Sequence, residues 1–144
     1  MKKSKIKIRH TPPLEPRRNQ TLLAGAASVD ITPPPGMPMA GFGMFSVSGR
    51  GVRTKLKARI LVIKPKQGGS VALVQCDLLS GSLVIHHRVA ELVAQKTDVE
   101  AGAIAVLGTH THSGPGNFFE SKMYNDNASN KPGLDEKYVA FCSQ

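Results

Sequence analysis

Residues Ser70–Pro115, SVALVQCDLLSGSLVIHHRVAELVAQKTDVEAGAIAVLGTHTHSGP, decide the fold. Ser70–Leu79 is a β-branched run that is apolar on both faces, as a strand in the middle of a sheet should be. At Ser82 the period changes. Ile85, Val89, Leu92 and Val93 recur at helical spacing, with His87, Arg88, Glu91 and Gln95 opposite them. The spacing predicts an amphipathic helix with Ser82 as its N-cap, because a serine hydroxyl accepts from a first-turn N–H that has no helical partner. Ala103–Leu107 returns to a short apolar strand, and a polar, glycine-containing loop follows from Gly108 to about Pro132. Loops of that length in a compact domain usually carry function.

Upstream, Lys57–Lys64 is a second β-branched run. Pro65 and Lys66-Gln67-Gly68-Gly69 separate it from Ser70, which is the pattern of a hairpin. Gly36–Gly51 is glycine-rich without either regular period, so it reads as an irregular loop with close backbone approaches. Before it, Leu23–Thr32 reads as a strand closed by Pro33, Pro34, Pro35 and Gly36. Downstream, Asp135–Gln144 begins a helix with acids at its positive end. Its apolar stripe (Tyr138, Val139, Phe141, Cys142) is interrupted before the helix is long enough to be stable. The elements together predict an α/β fold with a mixed β-sheet flanked by helices. Residues 23–144 read as an incomplete portion of a larger domain, since the last helix is interrupted.

The 144 residues, 40% hydrophobic and 20% charged, suit one globular core and exclude a fibre or a wholly disordered chain. The net charge of +9 is unevenly placed: Met1–Gln20 hold seven basic residues against the single acid Glu15. Residues 1–22 therefore read as a basic, disordered leader broken by Pro12, Pro13 and Pro16. The remaining body is nearly balanced and has neither a basic stripe nor an aromatic stacking surface, so no nucleic acid is expected as a partner. No apolar run reaches the roughly 7–15 residues of a signal peptide or the ~20 of a spanning helix. As written the chain is expected to be soluble and cytoplasmic, with secretion left open if its start lies elsewhere. Cys76 and Cys142 are too few and too far apart for a disulfide framework and read as buried thiols.

The chemistry concentrates in Gly108-Thr-His-Thr-His-Ser-Gly-Pro115. Alternate residues of an extended backbone share a face, so His110 and His112 can converge at the carboxyl end of a strand. Zinc accepts neutral imidazole nitrogen, and a catalytic zinc needs about three protein ligands and one open position. Two histidines supply part of such a set. A surface pair with no ligand is the bland alternative. Ser113 has no paired base or acid and reads as a backbone-bonding residue, not a nucleophile.

The octapeptide resembles the signature of the neutral/alkaline non-lysosomal ceramidases. Gly25-Ala-Ala-Ser-Val-Asp-Ile-Thr-Pro-Pro34, Met39-Ala-Gly-Phe-Gly43, Arg50-Gly-Val-Arg53 and Cys76-Asp-Leu-Leu79 fall in the order of that family, so the resemblance runs from about Leu23 to Gln144. It implies zinc-dependent hydrolysis of the amide bond of N-acyl sphingoid lipids, with a sphingolipid substrate and room for peripheral membrane contact. By the same resemblance His110 is the zinc ligand, and His112 contacts substrate or transition state. The resemblance also implies that residues 23–144 are the amino-terminal part of a larger catalytic domain, with the family's further zinc ligands, a histidine, a glutamate and a tyrosine, well downstream of this motif; His10 in the leader, His86 and His87 on the helix, and Tyr124 and Tyr138, which come too early, do not stand in for them.

Two roles fit Asp77: orienting a ligand at the neighbouring strand end, or capping the helix that follows. Gly41, Phe42 and Gly43 fit a pocket wall, and Phe42 fits a packing role equally. The alternatives to a ceramidase-like enzyme are a metallo-hydrolase of another substrate class, or a catalytically inactive fragment or basic binding module. Metallo-β-lactamase-like sites also place His-x-His after a strand, but they continue with an Asp where Ser113, Gly114 and Pro115 stand here.

Overall fold

The computed structural model describes residues 22–143, so the expected leader falls outside the described residues apart from Leu22. Four strands, β1 (Leu22–Asp30), β2 (Lys57–Pro65), β3 (Val71–Cys76) and β4 (Ile104–Gly108), form one sheet in the order β1-β2-β3-β4. The expected hairpin is β2 and β3, antiparallel with Leu61 opposite Leu73. β3 and β4 are parallel, with Val74 opposite Val106, and helix α1 (Leu83–Ala94) makes the crossover between them. A parallel pair needs such a crossover, which is why strand, helix and strand follow each other in the sequence.

The sheet is covered on one face. Ala58, Ala72, Cys76 and Ile104 are buried there, with Ile60, Val62, Val74 and Val106 packed beside them. On the other face Leu61, Val71, Leu73 and Leu107 are exposed, and all nine residues of β1 are exposed. β3 is apolar on both faces because it is central, yet only one of those faces is packed here.

Ser82 caps α1 as expected, its Oγ accepting from Ile85 N–H at 3.4 Å and donating to Phe118 O at 2.6 Å. The helix leans further round than its periodicity suggests: Ala90 is buried with Ile85, whereas Leu92 is 40% exposed. A small residue is what permits a close approach to Ala72, Val99 and Ile104.

The expected polar loop after Gly108 is corrected by the structure in two ways. It contains a short helix, α2 (Lys122–Asn127), and Gly114–Phe119 is buried throughout, with Phe118 fully enclosed. Phe118 and Phe119 pack with Tyr138 and Val139 of helix α3 (Glu136–Cys142) in the main core. Asn117 organises this segment. Its Oδ1 accepts from Ser129 Oγ at 2.8 Å and its Nδ2 donates toward the carbonyls of Asn125, Lys131 and Gly133. The residue sits at φ +66°, a left-handed conformation that asparagine tolerates better than most side chains. Asp135 caps α3 by accepting from Tyr138 N–H at 2.9 Å. Cys76 is buried and Cys142 half-buried, both as free thiols, and burial pushes both above the ordinary thiol range, Cys142 up to about 11.

Candidate metal and substrate site

Beyond β4 the chain continues beside the segment that leaves β3. Thr109 N–H donates to Cys76 O at 2.9 Å and His110 N–H to Leu78 O at 3.0 Å. The approach is close enough that a Cβ on Gly108 would meet the Ser80 Cα at 2.5 Å, so only glycine fits there. These contacts fix where the first histidine leaves the sheet.

His110 then departs from the extended backbone expected of it. It lies at φ +63°, a conformation that costs an L-residue about 1–2 kcal/mol and persists only when neighbours enforce it. One enforcing contact is visible: Nδ1 of His110 lies 2.9 Å from Leu79 O. A carbonyl only accepts, so Nδ1 carries the proton and Nε2 of the neutral ring is left with a bare lone pair. That lone pair meets Nε2 of His112 at 3.5 Å. The histidines converge as expected, but the left-handed turn at His110 brings them together, not strand alternation.

Nε2 of His110 is thus free to bind a metal, and Nε2 of His112, 3.5 Å away, is close enough to face a group held on that metal. The donor set is neutral nitrogen on an accessible surface, with one ring's tautomer already set by a carbonyl, which is the usual support for a metal-binding histidine. It is also only part of a set, since no group of three or more His, Cys, Asp or Glu positioned for a metal occurs among the described residues.

The second histidine is held by the glycine-rich loop. Met39 bridges Pro115, Ala40 N–H donates to Gly114 O at 3.0 Å, and Gly116 N–H donates to Pro38 O at 2.9 Å, which stitches that loop onto the motif. Gly41, at φ +96°, lies under the His112 ring: a Cβ there would stand 2.6 Å from Cγ and Nδ1. The Phe42 ring meets the imidazole edge-on at 5.1 Å between centroids. The close backbone approach expected of this loop is therefore directed at His112, and Phe42 is 53% exposed instead of packed in the core.

Of the two roles expected of Asp77, capping falls to Ser82, and no direct bond to a histidine is made. The carboxylate accepts from Arg59 Nη1 at 2.8 Å and from Lys57 N–H at 3.0 Å. The Arg59 guanidinium above all, then the Lys57 N–H and the Thr109 hydroxyl, hold it below the usual carboxylate range. Thr109 immediately precedes His110, so Asp77 touches the site through the backbone that carries it.

Arg59 and Asn117 escaped sequence reading, although each has a signal in hindsight: an arginine set between Ala58 and Ile60 of an apolar run, and an asparagine after a Gly-Pro-Gly run. His86, kept apart from the site on sequence grounds, is apart from it in space, with Nε2 3.1 Å from Ile104 O. Ser113 is exposed, and it is Ser113 N–H that bonds, to Thr111 Oγ1 at 3.2 Å. Beside the motif, Pro33–Pro35, Met37, Met39 and the Arg50–Leu56 segment enclose an open groove of about 970 Å³ that Thr111 and Ser113 also line.

Residues 22–132 match the family model described as neutral/alkaline non-lysosomal ceramidase, N-terminal. Neutral ceramidase of Drosophila melanogaster is 31% identical over 107 residues, covering 72% of this chain and 15% of its own length. Neutral ceramidase 1 of Arabidopsis thaliana is 30% identical over 105 residues, covering 71% of this chain and 14% of that protein. The crystal structure of neutral ceramidase from Pseudomonas aeruginosa superposes with a TM-score of 0.74 at 28% identity, over 85% of this chain and 20% of that one. The chain thus spans about one seventh of the curated relatives it matches.

Proposed function

Since this chain belongs to the neutral/alkaline non-lysosomal ceramidase family, we propose that it contributes two side chains and one wall to a zinc-dependent site that hydrolyses the amide bond of N-acyl sphingoid lipids, releasing a fatty acid and a free sphingoid base. The observation that carries the reading is the meeting of two imidazole nitrogens at 3.5 Å, one with its tautomer set by Leu79 O. His110 is the ligand, through Nε2, and a zinc ion bound there would supply Lewis acidity and an acidified water.

The chain's own residues do the rest by position. Leu79 O holds the His110 ring so that its free nitrogen faces His112. His112 presents Nε2 to the same space, where a neutral imidazole can donate one hydrogen bond to a substrate oxygen or accept one from a nucleophile. Gly41 gives that ring its room and Phe42 limits its swing. Asp77 is a positioning residue, tying Arg59, the Lys57 backbone and Thr109 into one fixed strand end. Further ligands, which the family resemblance sets downstream of the motif, complete the site.

Zinc content after dialysis, and release of sphingoid base from N-acylsphingosine, test the assignment in the polypeptide carrying this chain. His110→Ala is expected to lose both, and His112→Ala to keep zinc while losing hydrolysis. Unchanged zinc in His110→Ala would overturn the ligand assignment. A protein that cleaves other acyl amides but leaves N-acyl sphingoid lipids intact would overturn the substrate class.

A further inference from the structure

The loop Met37–Gly49 inverts the order that water imposes on a surface turn. It buries its serine, Ser46, to 5% exposure while exposing Phe45 to 90% and Met44 to 75%, with Phe42 and Val47 more than half exposed. Isolated exposed apolar residues mean nothing, but four within six positions of one turn form a patch. The turn is also rigidly presented. Met39 N–H donates to Val47 O at 3.1 Å, Gly36 N–H to Gly49 O at 2.7 Å and Gly49 N–H to Met37 O at 2.9 Å, closing the loop into a short ribbon whose base is bonded to Gly114 and Gly116.

Cations stand at that base. Arg50 and Arg53 line the groove with Val47 and Met39, and among the described residues neither forms an ion pair, whereas neighbouring Lys55 is neutralised by Asp30 at 2.7 Å. An apolar tip above a cationic collar is the arrangement that enters the headgroup boundary of an anionic bilayer.

We propose that this loop is a lipid-surface anchor: Phe42, Met44, Phe45 and Val47 enter the acyl boundary, Arg50 and Arg53 meet anionic headgroups, and the His110–His112 pair is thereby held at the interface from which a lipid substrate would come. The geometry stands alone, and only its purpose rests on the hydrolytic reading above. Phe42 links the two, since the side chain that begins the tip also touches His112.

The chain has no tryptophan, so Phe45→Trp gives a single reporter at the tip. With vesicles of phosphatidylcholine and phosphatidylglycerol, emission from the introduced indole is expected to move to the blue and to be quenched by lipids brominated near the top of the acyl chain. Replacing both Arg50 and Arg53 by Gln should weaken partition about 25-fold, about five-fold for each cation near the surface. Adding Met44→Ser should weaken it by about 10-fold through lost apolar burial.

Vesicle co-sedimentation with unshifted indole emission would overturn the proposal and assign the binding to the basic residues of Met1–Gln20. A blue shift without lipid that grows with protein concentration would overturn it in favour of a second copy on the same patch. Insertion is read without turnover, so a full polypeptide carrying this chain that inserts but leaves N-acyl sphingoid lipids intact would sink the hydrolytic reading and leave the anchor standing.

Discussion

Substituting Gly41 by Ala tests whether the glycine-rich loop serves the site or merely folds. The new Cβ would stand 2.6 Å from Cγ and Nδ1 of His112, where ordinary contact begins at 3.4 Å, so the ring must retreat by about 0.8 Å. The obstacle is a ring whose other side meets Phe42, and the backbone at φ +96° adds about 1–2 kcal/mol of strain for any side chain. Denaturant unfolding should show that modest loss with a cooperative transition retained. Turnover should fall far more, on the order of 100-fold, because a misplacement near 1 Å at a reacting group costs that much. Zinc content should stay, since His110 is held by Leu79 O and not by the loop. Gly51→Ala is the control, because a Cβ there meets nothing within 4 Å. Turnover in Gly41→Ala matching that control would refute the argument that the loop exists to seat His112.

The enclosed Phe118 ring should be worth about 3–5 kcal/mol, so Phe118→Ala is expected to shift the denaturation midpoint by most of the chain's stability or abolish folding, as followed by circular dichroism. Asp77 has its pKa lowered in the folded state by Arg59, so its contribution is present above the unfolded carboxylate range and lost as pH falls through the lower folded value. The stability gap between wild type and Asp77→Asn should therefore be open at pH 6 and narrow on acidification, and a gap independent of pH would count against the pair. Cys142, raised to about 11, and Cys76, also raised, are expected to react slowly with a disulfide reagent at pH 8 and quickly once the chain is unfolded. The same shifts work against the fold in alkali: the thiols ionise in the unfolded chain first, so stability should decline as pH rises from about 9 toward 11.

What local chemistry decides was readable from the sequence. The β2–β3 hairpin follows from two β-branched runs about a Gly-Gly turn, Ser82 caps its helix as expected, and the second expected helix begins at Asp135, because such signals depend on residues within one turn. What contacts across the fold decide was not. Lys122–Asn127 is too short and too rich in Asn and Asp to announce a helix. It exists because Asn125 bonds both the N–H and the C=O of Phe119, and because Asn117 reaches the Asn125 carbonyl.

The site divides along the same line. His110 and His112 were legible as residue types at a strand end, and the glycines around Phe42 as a close approach of some kind. The left-handed turn at His110 is imposed by backbone from Leu78 and Leu79, thirty-odd positions away, and nothing within the octapeptide signals it. The partner of Asp77 was not legible for the same reason: Arg59 belongs to the adjacent strand, and pairing across strands depends on register that periodicity alone does not fix.

The central claim is that His110 offers Nε2 to a metal beside His112 while its Nδ1 is held by Leu79 O. Proton–nitrogen correlation of the imidazole rings, recorded on the polypeptide carrying this chain with and without zinc, tests it most directly. His110 is predicted to begin as the Nδ1–H tautomer, and zinc to move its Nε2 resonance while Nδ1 stays protonated, with His86 and His87 unchanged. An Nε2–H tautomer at His110, or a zinc response confined to His86 and His87, would contradict it.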